Sequence, residues 1–188
     1  MGQTMAMNKT KPYRSVYTGK KDSWYTPKEY IQYAKQIMGI INTDPASSDI
    51  AQQTIQADIY HTKDHNGLLY DWYGNVWLNP PYTRKLIDAF ADKLIEQIQA
   101  KRVKQAIWLS NNSTDTRWFH KLAQQSDALY FPRGRIKFGS PNIDTKQVIY
   151  SQSPLQGQVL IYFGFAAELF LAVFNAKVPG IGVRGASS

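Results

Sequence analysis

Residues 77–82 read Trp-Leu-Asn-Pro-Pro-Tyr, and these residue types suit the alkylation of a planar amine. Such an amine is a weak nucleophile because its lone pair is delocalised, so a catalyst must accept its N–H hydrogens and hold its nitrogen towards an electrophile. The Asn79 side-chain oxygen and the Pro80 carbonyl can accept the two hydrogens. Pro80 and Pro81 restrict the backbone, and Tyr82 offers a flat face to a base swung out of a duplex. The run therefore predicts a catalytic group made of Asn79, Pro80, Pro81 and Tyr82.

The segments on either side of this run could place it at the edge of a sheet. Residues 76–78 are predicted to form a strand, and apolar residues that recur at helical spacing predict an amphipathic helix over 85–98. A strand, a rigid polar turn and a helix are how open α/β sheets place a site at the carboxyl end of a strand. The alternative is that Asn followed by two prolines does no more than end the strand.

Length and composition restrict the class of protein. The 188 residues suffice for one α/β domain, and they include no cysteine, which excludes a disulfide framework and a thiolate zinc site. The three histidines form no cluster of metal ligands, so no metal is expected. No apolar segment is long enough to cross a bilayer, and the N-terminus has no apolar signal-peptide core. These features predict a cytoplasmic protein with no membrane partner.

The formal charge of +8 is unevenly distributed along the chain. Residues 1–21 hold five Lys or Arg and no acid, while residues 101–137 hold eight Lys or Arg against Asp115 and Asp127. Clustered positive charge suits a polyanion such as nucleic acid, and a solvated basic surface is the equally open alternative. Because residues 1–21 also lack periodicity, they are predicted to be a flexible basic tail.

The first folded elements are predicted from helix-start signals. Thr26 followed by Pro27, with Glu29 three residues after Thr26, predicts a helix with Thr26 as its N-cap. Residues 40–43 are then predicted to form a strand that delivers Asp44 at its carboxyl end.

Strands and helices continue to alternate along the rest of the chain. Further strands are predicted at 106–109, 128–131, 136–138 and 159–163, helices near 50–55, 118–122 and 166–174, and a loop over 139–157. The alternation predicts an α/β fold with a mainly parallel sheet, whose last strands can run antiparallel at one edge. We expect a single domain over residues 22–176 and a C-terminal tail over residues 177–188.

Six short motifs occur in order between about Asp22 and Phe163. They are Trp24-Tyr25-Thr26-Pro27-Lys28-Glu29, Asp44-Pro45-Ala46-Ser47, Asn66-Gly67-Leu68, and the segments 76–82, 112–119 and 131–136. In this order they resemble the motifs of phage-encoded Dam-like DNA N6-adenine methyltransferases. The resemblance implies a Rossmann-like, S-adenosylmethionine-dependent methyltransferase fold with helices on both faces of the sheet. It also implies methylation of the N6 amine of a flipped adenine, in a bacterial host or phage-infected cell.

The resemblance assigns the methyl donor, S-adenosylmethionine, to a set of residues. Those expected to bind it are Tyr25, Thr26, Pro27, Asp44, Pro45, Ala46 and Asn66. Asp44 would pair with the donor's ammonium, and a helix N-cap is its alternative role. Thr26 is also open to being only a helix cap, and Asn66 to being only a turn residue. The glycine-rich turn usual in the wider group of methyltransferases is replaced by Ala46 and Ser47.

The expected macromolecular partner is double-stranded DNA, with no protein partner implied. Arg133, Arg135 and Lys137, together with the basic tail, are candidates for phosphate contacts. Two alternatives remain. The Asn-Pro-Pro-Tyr chemistry also serves RNA adenine or another planar amine such as protein glutamine, although the basic charge argues against glutamine. A non-catalytic nucleic-acid-binding protein would share the charge but has no need of the rigid turn.

Overall fold

The computed structural model describes residues 24–141, 148–152 and 156–186, so the basic tail predicted over 1–21 lies outside the described residues. The helices are α1 (Lys28–Met38), α2 (Asp49–Ile55), α3 (Arg84–Gln99), α4 (Arg117–Gln125) and α5 (Ala167–Lys177), with a short 3-10 helix at Gly67–Leu69. The strands are β1 (Thr43–Asp44), β2 (Ile59–Tyr60), β3 (Gly74–Leu78), β4 (Val103–Asn111), β5 (Ala128–Pro132), β6 (Phe138–Pro141), β7 (Val148–Gln152), β8 (Gln158–Phe163) and β9 (Gly180–Arg184). No helix in these ranges is long and apolar enough to cross a membrane.

Within the described residues, seven strands form the main sheet in the order β2-β1-β3-β4-β8-β5-β9. Strands β2, β1, β3 and β4 run parallel to one another. Strand β8 lies antiparallel between β4 and β5, and β9 runs antiparallel to β5 at the edge. The prediction of an α/β fold with a mostly parallel sheet is confirmed, but an antiparallel strand also lies inside the sheet.

Helices cover both faces of this sheet. Trp77 and Ile107 are buried in the apolar cluster shared with α1 and α5, whereas Leu78 and Trp108 are buried in the cluster shared with α3 and α4. Successive side chains of a strand point to opposite faces, so a strand covered on both sides is apolar throughout. This explains the continuous apolar runs in β3 and β4, which position the turn after β3.

Helix α1 begins differently from the sequence prediction. Its N-cap is Pro27, which has an extended backbone with ψ of 142°, and no side chain caps the helix. The prediction of Thr26 as the N-cap is therefore wrong. Because Pro27 is the cap, Thr26 is displaced one residue outwards, and its hydroxyl is directed to Asn79.

Two segments that were expected to be irregular contain strands. Gly180–Arg184, inside the predicted C-terminal tail over 177–188, forms β9 and pairs along β5. Strand β7 and most of β6 lie within the segment predicted as a loop over 139–157, and the two strands pair antiparallel. The tail prediction failed because Gly180–Arg184 is glycine-rich and carries little periodicity of its own. The loop prediction failed because Val148–Gln152 is a short run among glycine, serine, proline and glutamine residues, and in both segments a partner strand supplies the pairing. The strand predicted over 40–43 is short and shifted, and occupies Thr43–Asp44.

Candidate active site

Strands β1 and β3 are parallel neighbours, and the residues at their carboxyl ends meet at one edge of the sheet. Thr43 pairs in register with Val76. Asp44 ends β1, and Asn79 comes directly after β3. Because the carboxyl ends of parallel strands form a common crevice, Asp44 and Asn79 line the same cavity, whose volume is about 370 Å³.

Most of the predicted site residues line this cavity. They are Tyr25, Thr26, Asp44, Pro45, Ala46 and Asn66 from the cofactor set, and Asn79, Pro80, Pro81 and Tyr82 from the catalytic set. Pro27 is buried ahead of α1 and is not part of the cavity wall. Arg133, Arg135 and Lys137 are exposed between β5 and β6, also outside the wall. The structure thus brings two of the three predicted sets together.

The two ends of the Asn79 carboxamide have different partners. Its Nδ2 donates to the Trp24 carbonyl at 3.1 Å and to the Thr26 hydroxyl oxygen at 3.3 Å. Its Oδ1 accepts a hydrogen bond from the Tyr82 hydroxyl at 3.0 Å. A carboxamide oxygen has two lone pairs, so Oδ1 keeps one for a further donor. Asn79 is therefore held as a hydrogen-bond acceptor at the edge of β3.

The Tyr82 side chain is half-buried against the apolar cluster under α3. Burial raises the pKa of its hydroxyl well above the usual range of tyrosine. The hydroxyl therefore stays protonated at neutral pH. Tyr82 thus lines the cavity and donates a hydrogen bond to Asn79.

The Asp44 carboxyl is buried, with only 1% of the residue exposed. Burial raises its pKa to about 7, against the lowering effect of hydrogen bonds from Ser47, Ala46 and Gln52. The Ala46 backbone N–H donates to Oδ1 at 3.3 Å, and Gln52 Nε2 donates to Oδ2 at 3.0 Å. Among the ion pairs of the described residues, none includes Asp44. A cation bound here would supply the missing countercharge.

The alternative role of Asp44 as a helix cap is wrong. The N-cap of α2 is Ser48, whose hydroxyl oxygen accepts a hydrogen bond from the Ala51 backbone N–H at 3.2 Å. Asp44 lies four residues earlier and directs its carboxyl to the loop and to Gln52. The Asp44 side chain is thus not used to begin the helix.

Asn66 is a turn residue, as its alternative role predicted. Its Oδ1 accepts a hydrogen bond from the Leu68 N–H at 3.1 Å and caps the short 3-10 helix. The following Gly67 lies against the loop after β1, because a Cβ at this position would be 2.1 Å from the Pro45 carbonyl oxygen. Glycine at position 67 therefore allows the 3-10 helix to pack closely against the loop after β1.

Three residues at the site were given no role by the sequence. The Trp24 carbonyl contacts Asn79, and Gln52 bridges Asp44 and the Ser47 hydroxyl. Trp77 lines the cavity, and its buried indole N–H has no hydrogen-bond partner among the described residues. Gln52 could have been noticed in the sequence as a polar residue beside the apolar residues of α2. Trp77 could not, because it lies in the apolar run of β3 and its indole N–H is its single polar side-chain group.

Comparison with known proteins agrees with the family resemblance of the sequence. The profile of the family described as DNA N-6-adenine-methyltransferase (Dam) matches residues 15–175. A relative from Escherichia phage T1, named DNA N-6-adenine-methyltransferase, is 32% identical over 109 residues, which cover 56% of this chain and 42% of the relative. The matched segment thus spans less than half of that relative's length. Because the profile extends over most of the chain, the protein belongs to the Dam family of DNA N-6-adenine-methyltransferases.

Proposed function

We propose that this protein transfers a methyl group from S-adenosylmethionine to the N6 amine of an adenine in double-stranded DNA. The observation that carries the proposal is the cavity that Asn79 and Asp44 share. Asn79 is an oriented hydrogen-bond acceptor for an amine, and Asp44 is a buried carboxyl that forms no ion pair with the residues the structure describes. Membership of the Dam family and the printed name of the phage T1 relative support the same reaction.

The cavity residues fit a ligand with the polar groups of S-adenosylmethionine. Asp44 has no cationic partner within the described residues, and the indole N–H of Trp77 has no acceptor there. An ammonium group of the ligand would pair with Asp44, and an oxygen or ring nitrogen of the ligand would accept a hydrogen bond from the Trp77 N–H. The volume of about 370 Å³ lies within the range of small-molecule sites. Asp44 would hold the donor's ammonium, and Tyr25, Pro45 and Ala46 would form walls around it.

The residues of the Asn-Pro-Pro-Tyr turn would bind and orient the acceptor amine. The Asn79 oxygen and the Pro80 carbonyl accept its two hydrogens, which pulls the nitrogen towards sp3 geometry and frees its lone pair. When bound, the donor's sulfonium supplies an electrophilic methyl group. Positioning therefore supplies most of the catalysis, and the extra proton on the methylated nitrogen is lost to solvent. Tyr82 stacks on the extruded base.

The basic segment after β5 is proposed to contact DNA phosphates. Arg133, Arg135 and Lys137 are exposed, and the chain continues from them into β6. Gly139 of β6 exchanges two backbone hydrogen bonds with Tyr25, a residue of the cavity wall, at 2.9 and 2.8 Å. This connection supports a DNA path close to the cavity. We further propose a Rossmann-like methyltransferase fold, because parallel strands with helices on both faces lead to the site. We also propose that the reaction takes place in the cytoplasm, because the DNA substrate lies there.

The experiment is a methyl-transfer assay with radiolabelled S-adenosylmethionine and three acceptors: unmethylated duplex DNA, RNA of the same sequence, and protein. We expect the label in N6-methyladenine of the DNA. Asn79→Ala should lower the rate on the order of a hundredfold or more, with donor affinity in calorimetry nearly unchanged. Asn175→Ala, an exposed asparagine on α5, is the matched control.

The outcomes distinguish the alternatives. If the label appears in RNA alone, the acceptor is an adenine of RNA. If it appears in protein, the acceptor is a glutamine side chain. A folded protein that binds DNA but shows no calorimetric signal with the donor would be a non-catalytic binding protein. Near-normal methylation by Asn79→Ala would contradict the assigned role of the turn.

A further inference from the structure

We propose that Thr26 is a positioning residue, whose hydroxyl fixes the orientation of the Asn79 carboxamide for methyl transfer. This inference rests on the proposed function. Thr26 is 7% exposed and precedes α1 without capping it. Its hydroxyl oxygen instead lies 3.3 Å from Asn79 Nδ2, between residues 53 positions apart in the chain.

The orientation of this carboxamide matters because its two ends have nearly the same shape and opposite hydrogen-bonding character. With Oδ1 towards the acceptor, Asn79 accepts an amine hydrogen. After a rotation of about 180° it would present N–H to N–H, and the amine would lose its acceptor. The reaction therefore requires the protein to favour one of the two orientations.

Trp24 and Thr26 together favour the productive orientation. The Trp24 carbonyl can only accept, so Nδ2 at 3.1 Å is attracted and Oδ1 in its place would be repelled. The Thr26 hydroxyl oxygen accepts the second Nδ2 hydrogen, so neither N–H is left without a partner in a partly buried site. Trp24 thus sets the direction, and Thr26 completes the pair of contacts.

The segment 24–26 is itself fixed in position. Tyr25 exchanges two backbone hydrogen bonds with Gly139 of β6, and the Trp24 ring packs edge-on against Phe138, with ring centres 5.9 Å apart at 80°. Because Phe138 is fully buried, this anchor is part of the core. The two groups that accept hydrogen bonds from Asn79 Nδ2 are therefore held in place by the core, which is the condition for preorganised catalysis.

The kinetic test compares two variants of Thr26. Thr26→Val keeps the shape and removes the hydroxyl, and we expect kcat for DNA methylation to fall about tenfold. The KM for the donor and the affinity for DNA should stay unchanged, since the hydroxyl is already engaged by Asn79 Nδ2. Thr26→Ser keeps the hydroxyl and should restore kcat to near the wild-type value. Ser126→Ala, which removes a fully buried hydroxyl at the end of α4, controls for general loss of stability.

A direct readout follows the carboxamide itself by NMR. The side-chain Nδ2 resonances of Asn79 can be assigned by their loss in Asn79→Asp. We expect hydrogen exchange of these protons with water to accelerate in Thr26→Val and to remain slow in Thr26→Ser. Thr26→Ala makes the same comparison if valine prevents folding. This measurement needs no methyl transfer, so it separates an error about Thr26 from an error about the reaction.

Three results would overturn the inference. Equal loss of kcat in Thr26→Val and Thr26→Ser would show that the hydroxyl is not what matters. A raised donor KM with unchanged kcat would make Thr26 a donor-binding residue. Unchanged exchange at Nδ2 in Thr26→Val would show that the contact does not hold Asn79. If the wild type methylates no DNA while Nδ2 responds as expected, the proposed function fails and the contact stands.

Discussion

The hydroxyl of Tyr82 donates a hydrogen bond to the carboxamide oxygen of Asn79 across 3.0 Å. The residue proposed to stack on the base is thus joined to the residue proposed to hold the amine of that base. In the structure the hydroxyl occupies one of the two lone pairs of Oδ1. When the amine binds, Oδ1 either accepts hydrogen bonds from both the amine and the hydroxyl or loses its bond to the hydroxyl. Substitutions that remove the hydroxyl alone, or the whole ring, therefore separate the two roles of Tyr82.

Tyr82→Phe should retain most of the methyl-transfer activity, because the aromatic face remains and the amine replaces the hydroxyl as the partner of Asn79. The free energy of unfolding should fall by about 1 kcal/mol, the typical contribution of one hydrogen bond. Tyr82→Ala should lose roughly 1–3 kcal/mol of base stacking, and with it much of the rate. Fluorescence of 2-aminopurine at the target position, read beside methyl transfer, measures base extrusion in both variants. If Tyr82→Phe lowers the rate as much as Tyr82→Ala, the hydroxyl is essential and stacking is the wrong explanation. If Tyr82→Ala does not lower the rate, Tyr82 only packs against its neighbours.

Donor binding should weaken as the pH falls below 7. Since burial raises the pKa of Asp44 to about 7, the carboxyl of the free protein is protonated below that pH and must lose its proton to pair with an ammonium. The apparent affinity should therefore fall by up to about tenfold per pH unit between pH 7 and 5.5. Calorimetry with S-adenosylmethionine at several pH values measures this slope. Asp44→Asn should bind more weakly and with no slope in this range.

The same carboxyl predicts how stability depends on pH without the donor. The folded pKa of Asp44 lies above the ordinary aspartate value of 3.8, so the folded state binds a proton more tightly than the unfolded state. Its contribution to stability is therefore fully present below about pH 4 and is lost as the pH rises to 7. Denaturation of Asp44→Asn across this range should lack that loss. A wild-type profile that runs parallel to that of Asp44→Asn from pH 4 to 7 would mean that folding does not raise the pKa of this carboxyl.

Gly67→Ala should destabilise the protein and weaken donor binding together. The added Cβ would be 2.1 Å from the Pro45 carbonyl oxygen, so the loop after β1 has to move, at a cost of roughly 1–3 kcal/mol. Thermal denaturation and donor calorimetry measure the two effects. Gly39→Ala is the control: it has open space but a φ of +81°, so it should lower stability through backbone strain and leave donor affinity unchanged. Normal donor affinity in Gly67→Ala would separate this contact from the cofactor site.

DNA affinity should fall steeply with salt, since phosphate contacts release counterions. Replacement of Arg133, Arg135 and Lys137 by glutamine should lower the slope of log affinity against log salt by up to about 3, close to 0.9 per contact. Deletion of residues 1–20 should also flatten the slope without lowering the melting temperature. Fluorescence anisotropy with duplex DNA measures the slope, and Lys177→Gln on α5 is the control. An unchanged slope in the triple variant would show that DNA binds at another part of the surface. A sharp drop in melting temperature on deletion of residues 1–20 would show that this segment is part of the core.

Local patterns in the sequence were sufficient for several elements. The apolar spacing over 85–98 predicted α3, and the continuous apolar run at 106–109 predicted the centre of β4. Asn79 to Tyr82 could be recognised as a polar turn at a strand end, because two prolines restrict the backbone without help from the rest of the chain. Asp44 was placed at the end of the neighbouring strand by the same logic of a strand followed by a helix.

What only the tertiary structure decided are the contacts between distant residues. Thr26 had the pattern of a helix cap, yet its hydroxyl meets Asn79, 53 residues away. Strand β9 has no signal in its glycine-rich sequence, and its pairing depends on β5. The raised pKa of Asp44 follows from burial, and so does the Trp77 N–H, for which the described part of the chain offers no acceptor; many elements create this burial together. The residues of this site could therefore be recognised from the sequence, because the local motifs that mark them depend on near neighbours in the chain. Their hydrogen-bond partners, burial and charge state could not, because these depend on how helices cover the whole sheet.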